Sequence, residues 1–160
     1  IMYTAQNKLN KPIAIRYPRG KGLIKNWEKK YEEIQIGKGI QVKKGEKISV
    51  LCIGSIIENV KDATKNMNVS IYDMRFVKPL DERLLIQIFD KGEKIITVED
   101  GVISGGFGSA ILEFMAKNNY NNKIKTLGIP DMFIKHGTIH ELQESIGLDK
   151  NSIREIIEDF

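Results

Sequence analysis

Two arginines flank a proline in Arg16-Tyr17-Pro18-Arg19-Gly20, and this pentapeptide carries the most telling chemistry in the chain. A guanidinium offers parallel N–H donors that match a phosphate or carboxylate, two bonds at a time. Pro18 fixes the backbone beside the arginines and Gly20 lets it turn, so the pair stands on a stiffened loop. A salt bridge to acidic groups at a domain edge is the alternative, and the residues alone leave both open. The loop follows Ile13-Ala14-Ile15, an apolar run that reads as a buried strand. A strand ending so early has no sheet of its own, which implies a chain that begins inside a larger protein.

Three other constellations hold less. In Glu99-Asp100-Gly101-Val102-Ile103-Ser104-Gly105-Gly106-Phe107-Gly108-Ser109, glycines open a helix whose N–H groups could hold an anion. The dinucleotide fingerprint fails, because Ile111 stands where its third glycine belongs. Glu99 and Asp100 would also repel a phosphate, so a tight strand-to-helix crossover packed against a neighbour is the favoured reading. His136 and His140 are four apart, but Thr138 between them looks like a helix cap and leaves His136 outside the helix. No third His or Cys ligand exists apart from Cys52, so a metal site is not expected. Cys52 lies in Ile48-Ser49-Val50-Leu51-Cys52-Ile53 and reads as a buried small residue rather than a nucleophile. No serine sits in a nucleophile elbow. Asp73 and Arg75 end a strand and read as a self-neutralising ion pair, with a subunit contact for Arg75 as the alternative.

The elements that must position these residues alternate regularly. Lys21 to Glu33 is charged and aperiodic and reads as a linker, with Trp27 and Tyr31 pinning it to a surface. Strands are predicted over 36–43, 47–54, 69–74, 94–98 and 123–128. Helices lie between them: one over 55–66 capped by Ser55, one capped by Asp81 with Leu84, Leu85, Ile88 and Phe89, and one bearing Phe107, Ala110, Ile111, Phe114 and Met115. Two terminal helices carry Ile139, Leu142 and Ile146, then Ile153, Ile156, Ile157 and Phe160. Strands separated by helices imply a three-layer α/β/α domain with a mostly parallel five-stranded sheet. A short glycine turn after the first strand implies that it pairs antiparallel with the second.

The 160 residues are 41% hydrophobic, enough for one well-cored domain. No apolar run approaches the roughly 20 residues that span a bilayer. The net charge of +4 comes from scattered lysines, with no basic stripe and no recognised nucleic-acid module, so neither membrane nor nucleic acid is an expected partner. One cysteine allows no internal disulfide, which fits a reducing compartment.

Taken in order, Ile15-Arg16-Tyr17-Pro18-Arg19-Gly20, Ile36-Gly37-Lys38-Gly39 and Asp73-Met74-Arg75-Phe76-Val77-Lys78-Pro79-Leu80-Asp81 resemble the 1-deoxy-D-xylulose-5-phosphate synthase family. So do Thr97-Val98-Glu99-Asp100 with Gly105-Gly106-Phe107-Gly108-Ser109, Leu127-Gly128-Ile129-Pro130-Asp131-Met132-Phe133-Ile134, His136-Gly137-Thr138 and Gly147-Leu148-Asp149. The resemblance implies that residues 1–20 close a middle, pyrimidine-binding domain, 21–33 form a linker, and 34–160 form a transketolase C-terminal-like domain. It implies an enzyme that joins pyruvate to glyceraldehyde 3-phosphate with loss of carbon dioxide, on thiamine diphosphate and magnesium, for isoprenoid and thiamine biosynthesis. By the same resemblance Arg19 anchors the substrate phosphate, and Arg16 and Tyr17 shape its turn or assist. Catalytic, cofactor and metal residues belong to domains this chain does not carry, so the fragment alone is expected to be inactive and to bind no cofactor. Asp100 stands where the family more usually has asparagine. A homodimer is implied, with Phe107, Phe133 and Ile134 as exposed apolar candidates, in a bacterial cytoplasm or a plastid. A free-standing regulatory or partner-binding module, or the tail of another thiamine-dependent transketolase or dehydrogenase, stays open as an alternative.

Overall fold

The computed structural model describes residues 1–7, 9–18, 28 and 30–160. They divide into two compact units, Ile1–Ile36 and Gly37–Phe160. In the first, α1 spans Met2–Gln6, and only Thr4 of this helix is buried. Ile13-Ala14-Ile15 is not a strand, and Ile13 is 43% exposed. A lone extended tripeptide becomes a strand only when a neighbour pairs its N–H and C=O groups, and the described residues supply none here.

The second unit alternates strand and helix: β1 (Ile40–Lys43), β2 (Ile48–Ile53), α2 (Ile57–Ala63), β3 (Ser70–Asp73), α3 (Glu82–Phe89), β4 (Lys94–Val102), α4 (Phe107–Lys117), β5 (Ile124–Ile129), α5 (Ile139–Ser145) and α6 (Lys150–Asp159). The sheet order is β1-β3-β2-β4-β5, parallel throughout except for β1 against β3. Both faces of the sheet are apolar, so neighbouring strand residues divide between two cores. Val50, Cys52, Ile96 and Val98 face α2 and α6, where Val60, Ile153 and Ile157 meet them. Leu51 and Ile95 face α3 and α4, packing on Leu85, Ile88, Phe107, Ile111 and Phe114. Each such buried side chain contributes about 1.5–3 kcal/mol. The three-layer architecture follows directly from the two periodicities.

The first strand departs from expectation. It is antiparallel, but to β3 rather than β2, with Ile40 opposite Asp73. The reason lies at Gly45, which crosses the start of β3 instead of making a hairpin. Its N–H donates to Ser70 Oγ at 3.1 Å, the same hydroxyl donates to Gly45 O at 2.9 Å, and a Cβ at Gly45 would run into the Val69 backbone. Lys43 then locks the strand at this edge by donating to the Thr64 and Met67 carbonyls at the end of α2. Burial lowers its pKa.

Candidate functional site

In open α/β sheets ligands enter where the strand order reverses, beyond the carboxyl ends of the strands. Here that point falls between β2 and β4, because the chain leaves β2 for β3 on one side and returns to β4 on the other. The strand β4 runs past its predicted end at Val98 and through Val102. Val98 pairs with Leu127 but Val102 pairs with Ile129, so β4 bulges over Glu99, Asp100 and Gly101. Gly128 makes room for the bulge, since a Cβ there would come within 2.9 Å of Glu99 Cγ.

The bulge aims Glu99 at the start of α4. Its carboxylate accepts from the N–H groups of Phe107 and Gly108, both at 2.9 Å, and the residue is only 4% exposed. The glycines at 105–108 therefore do form an anion cradle, and the chain's own Glu99 fills it. Gly106 is required, because a side chain there would collide with Glu99 Oε2 and the Val102 carbonyl. Alongside, Ser55 Oγ donates to Asp100 Oδ2 at 2.5 Å, and Gly54 at φ +90° lies against Asp100. Ser55 thus closes the crevice rather than capping α2, whose N-cap is Ile56 without a side-chain bond. The crossover reading of this turn holds, with an internal carboxylate plug that sequence alone did not reveal.

The remaining candidates fall into place one by one. Arg75 N–H donates to Asp73 Oδ1 at 3.1 Å and its Nε stands 3.9 Å from Oδ2, so the pair neutralises itself. Burial raises the Asp73 pKa against the opposing pull of Arg75. Cys52 is fully buried, which pushes its thiol far above the ordinary range and leaves it inert. Thr138 caps α5 in a reciprocal box with Glu141. His136 and His140 are both exposed, and among the described residues no three His, Cys, Asp or Glu side chains could hold a metal. Phe107 is 1% exposed and belongs to the core, which corrects its reading as a surface residue. It packs in the cluster that holds Leu51, Leu85, Ile95 and Ile111. Phe133 and Met132 are exposed, and Ile134 is half-buried.

Asp81 caps α3 as expected, accepting from Leu84 N–H, and also takes Lys38 Nζ at 3.0 Å and Gly39 N–H at 3.2 Å. Burial pushes its carboxyl up, but Lys38 and the two N–H groups outweigh this and hold it below its usual value. A depressed folded pKa means the unfolded chain takes the proton first, so the stabilisation is complete above about pH 4 and is lost as pH falls below it. Asp81→Asn is expected to cost about 1.5 kcal/mol at pH 7 and less near pH 3, measured as urea midpoints at both pH values. An equal cost at both would refute the charge argument.

Of the arginine loop, Arg16 and Tyr17 are exposed, Tyr17 at 73%. Arg19 and Gly20 lie outside the described residues, as does Trp27. Tyr31 stacks on Tyr3 with ring centroids 5.6 Å apart. Ile34 N–H donates to Thr4 Oγ1 at 2.8 Å, and Asn7 Nδ2 donates to Glu33 Oε1 at 2.9 Å. The sequence points to Tyr31 as a pin but not to its partner, nor to the two hydrogen bonds, which span 26 and 30 residues and carry no local signal.

Residues 37–153 match the family described as transketolase, C-terminal domain. The chain is 50% identical over 159 residues to 1-deoxy-D-xylulose-5-phosphate synthase of Cytophaga hutchinsonii, covering 96% of this chain and 25% of that protein. It is 48% identical to the synthase of Parabacteroides distasonis, covering 96% and 25%, and 42% identical to that of Vibrio parahaemolyticus, covering 100% and 26%. The chain therefore spans about a quarter of the length of the curated relatives it matches. A solved structure titled split gene transketolase, inactive beta4 tetramer, superposes with a TM-score of 0.72 at 23% identity, over 80% of this chain and 43% of that one.

Proposed function

The chain belongs to the transketolase C-terminal domain family, and from that premise we propose that it is the C-terminal part of a 1-deoxy-D-xylulose-5-phosphate synthase. The observation that carries this is identity of 41–50% along nearly the whole chain to proteins of that name. In the full polypeptide, pyruvate loses carbon dioxide and its remaining two-carbon unit joins the aldehyde carbon of glyceraldehyde 3-phosphate, giving the five-carbon product. The full enzyme requires thiamine diphosphate and magnesium, which supply the carbanion chemistry.

The described residues do not fit that cofactor. Their glycine-rich helix start is filled by Glu99, and no acidic cluster suited to a metal is present among them. On this reading the cofactor contacts belong to the remainder of the polypeptide. This chain's share is the phosphate anchor: Arg19, with Arg16 and Tyr17 shaping its loop, holds the aldehyde substrate in position for attack. Residues 1–20 close the preceding domain, 21–33 link, and 34–160 form the C-terminal domain, within a homodimer in a bacterial cytoplasm. The exposed Met132 and Phe133 suit such a contact. Among the described residues no helix is long and apolar enough to cross a membrane.

The test is product formation. The full-length polypeptide should make 1-deoxy-D-xylulose 5-phosphate from the two substrates, and the purified 160 residues should make none. Product from the isolated chain, or none from the full polypeptide supplied with cofactor, would overturn the reading.

A further inference from the structure

We propose that Tyr3 and Thr4 of α1, its C-cap Asn7 and the segment Tyr31–Ile34 form a clasp that positions the loop carrying Arg16 and Tyr17 for the phosphate of the aldehyde substrate. The inference rests on the synthase reading above and deepens it. Three contacts of different chemistry join the same two short stretches. The rings of Tyr3 and Tyr31 stack at 5.6 Å with planes 22° apart. Thr4 Oγ1 accepts from Ile34 N–H at 2.8 Å, and Asn7 Nδ2 donates to Glu33 Oε1 at 2.9 Å. Thr4 is the one buried residue of α1, so its hydroxyl bond is shielded from competing water.

Tyr3 and Thr4 lie in the short helix and Asn7 caps its end. The partners at 31, 33 and 34 lie on one strip of chain. In sequence the arginine motif lies between these two stretches, which the three contacts hold together. A loop closed at its root samples far fewer arrangements than the same residues tethered at one end. That matters for a guanidinium, because bidentate binding of a phosphate demands orientation as well as charge. On this proposal the residues act on the substrate only through the arginine loop, so they are positioning residues.

The test is steady-state kinetics of the full-length enzyme with each substrate varied in turn. Thr4→Val removes the acceptor for Ile34 N–H at nearly constant volume. It is expected to raise KM for glyceraldehyde 3-phosphate about fivefold, while kcat and KM for pyruvate stay within about twofold. Thr4→Ser keeps the hydroxyl and should restore the aldehyde KM. If Thr4→Val does not fold, Asn7→Leu, which breaks an exposed bond, is measured in its place. An unchanged aldehyde KM, or equal rises for both substrates, would overturn the clasp. Arg19→Ala run in parallel separates the two claims. No selective effect of Arg19→Ala defeats the phosphate-anchor reading and the clasp with it. A selective effect there with none in Thr4→Val defeats the clasp alone.

Discussion

Replacing Arg19 with alanine in the full-length polypeptide is expected to raise KM for glyceraldehyde 3-phosphate about 100-fold, equivalent to about 2.7 kcal/mol. KM for pyruvate should stay within about twofold, because pyruvate offers no phosphate for that guanidinium to hold. The split between the substrates is the informative quantity, since a general loss of structure would move both constants. Arg19→Lys keeps the charge but loses the fork of parallel donors, so it should recover only part of the loss. Equal increases for both substrates would remove Arg19 from the phosphate site. Retention of wild-type constants would do the same.

The second large effect concerns stability. Glu99→Ala leaves the N–H groups of Phe107 and Gly108 without their acceptor inside a closed core. It also opens space beneath Gly106, whose neighbourhood the carboxylate now fills. An unmet buried donor costs about 1–3 kcal/mol and more where the lost partner is charged, so a total near 3 kcal/mol is expected. For a unit of this size that lowers Tm by about 10 °C, read by thermal denaturation followed by circular dichroism. Glu99→Gln keeps the shape and one acceptor and should fall between. Gly106→Ala reaches a similar loss from the other side, by pushing a methyl into the carboxylate and the Val102 carbonyl. A wild-type Tm in Glu99→Ala would show that water replaces the carboxylate at little cost.

What could be read from the sequence was local and periodic. The apolar faces of α3 and α4, the caps at Asp81 and Thr138, and the Asp73–Arg75 pair all involve residues a few positions apart. Their physics is complete within a turn or two of chain. The failures were all non-local. Gly45 looks like a hairpin glycine until Val69 is known to lie beneath it. Ser55 looks like a helix cap, yet Asp100, 45 residues on, competes for its hydroxyl and wins. The polar triplet Glu99-Asp100-Gly101 has the composition of a turn, so a strand running through it as a bulge leaves no periodic trace. Ile13-Ala14-Ile15 shows the converse, a strand-like pattern without a ladder.

The pairing of β1 with β3 also sets an order of events during synthesis. Ile40–Lys43 leaves the ribosome before β2 but cannot bond to it, and its partner residues end at Asp73, about thirty positions later. At about 5–20 residues per second the nascent strand waits for seconds with its backbone bonded only to water. Its composition suits that delay: Gln41, Lys43 and Lys44 keep the stretch hydrated and discourage pairing with a neighbouring nascent chain. The polypeptide's earliest strand in this unit is therefore free to join that edge only once β3 has emerged, before β4 is made.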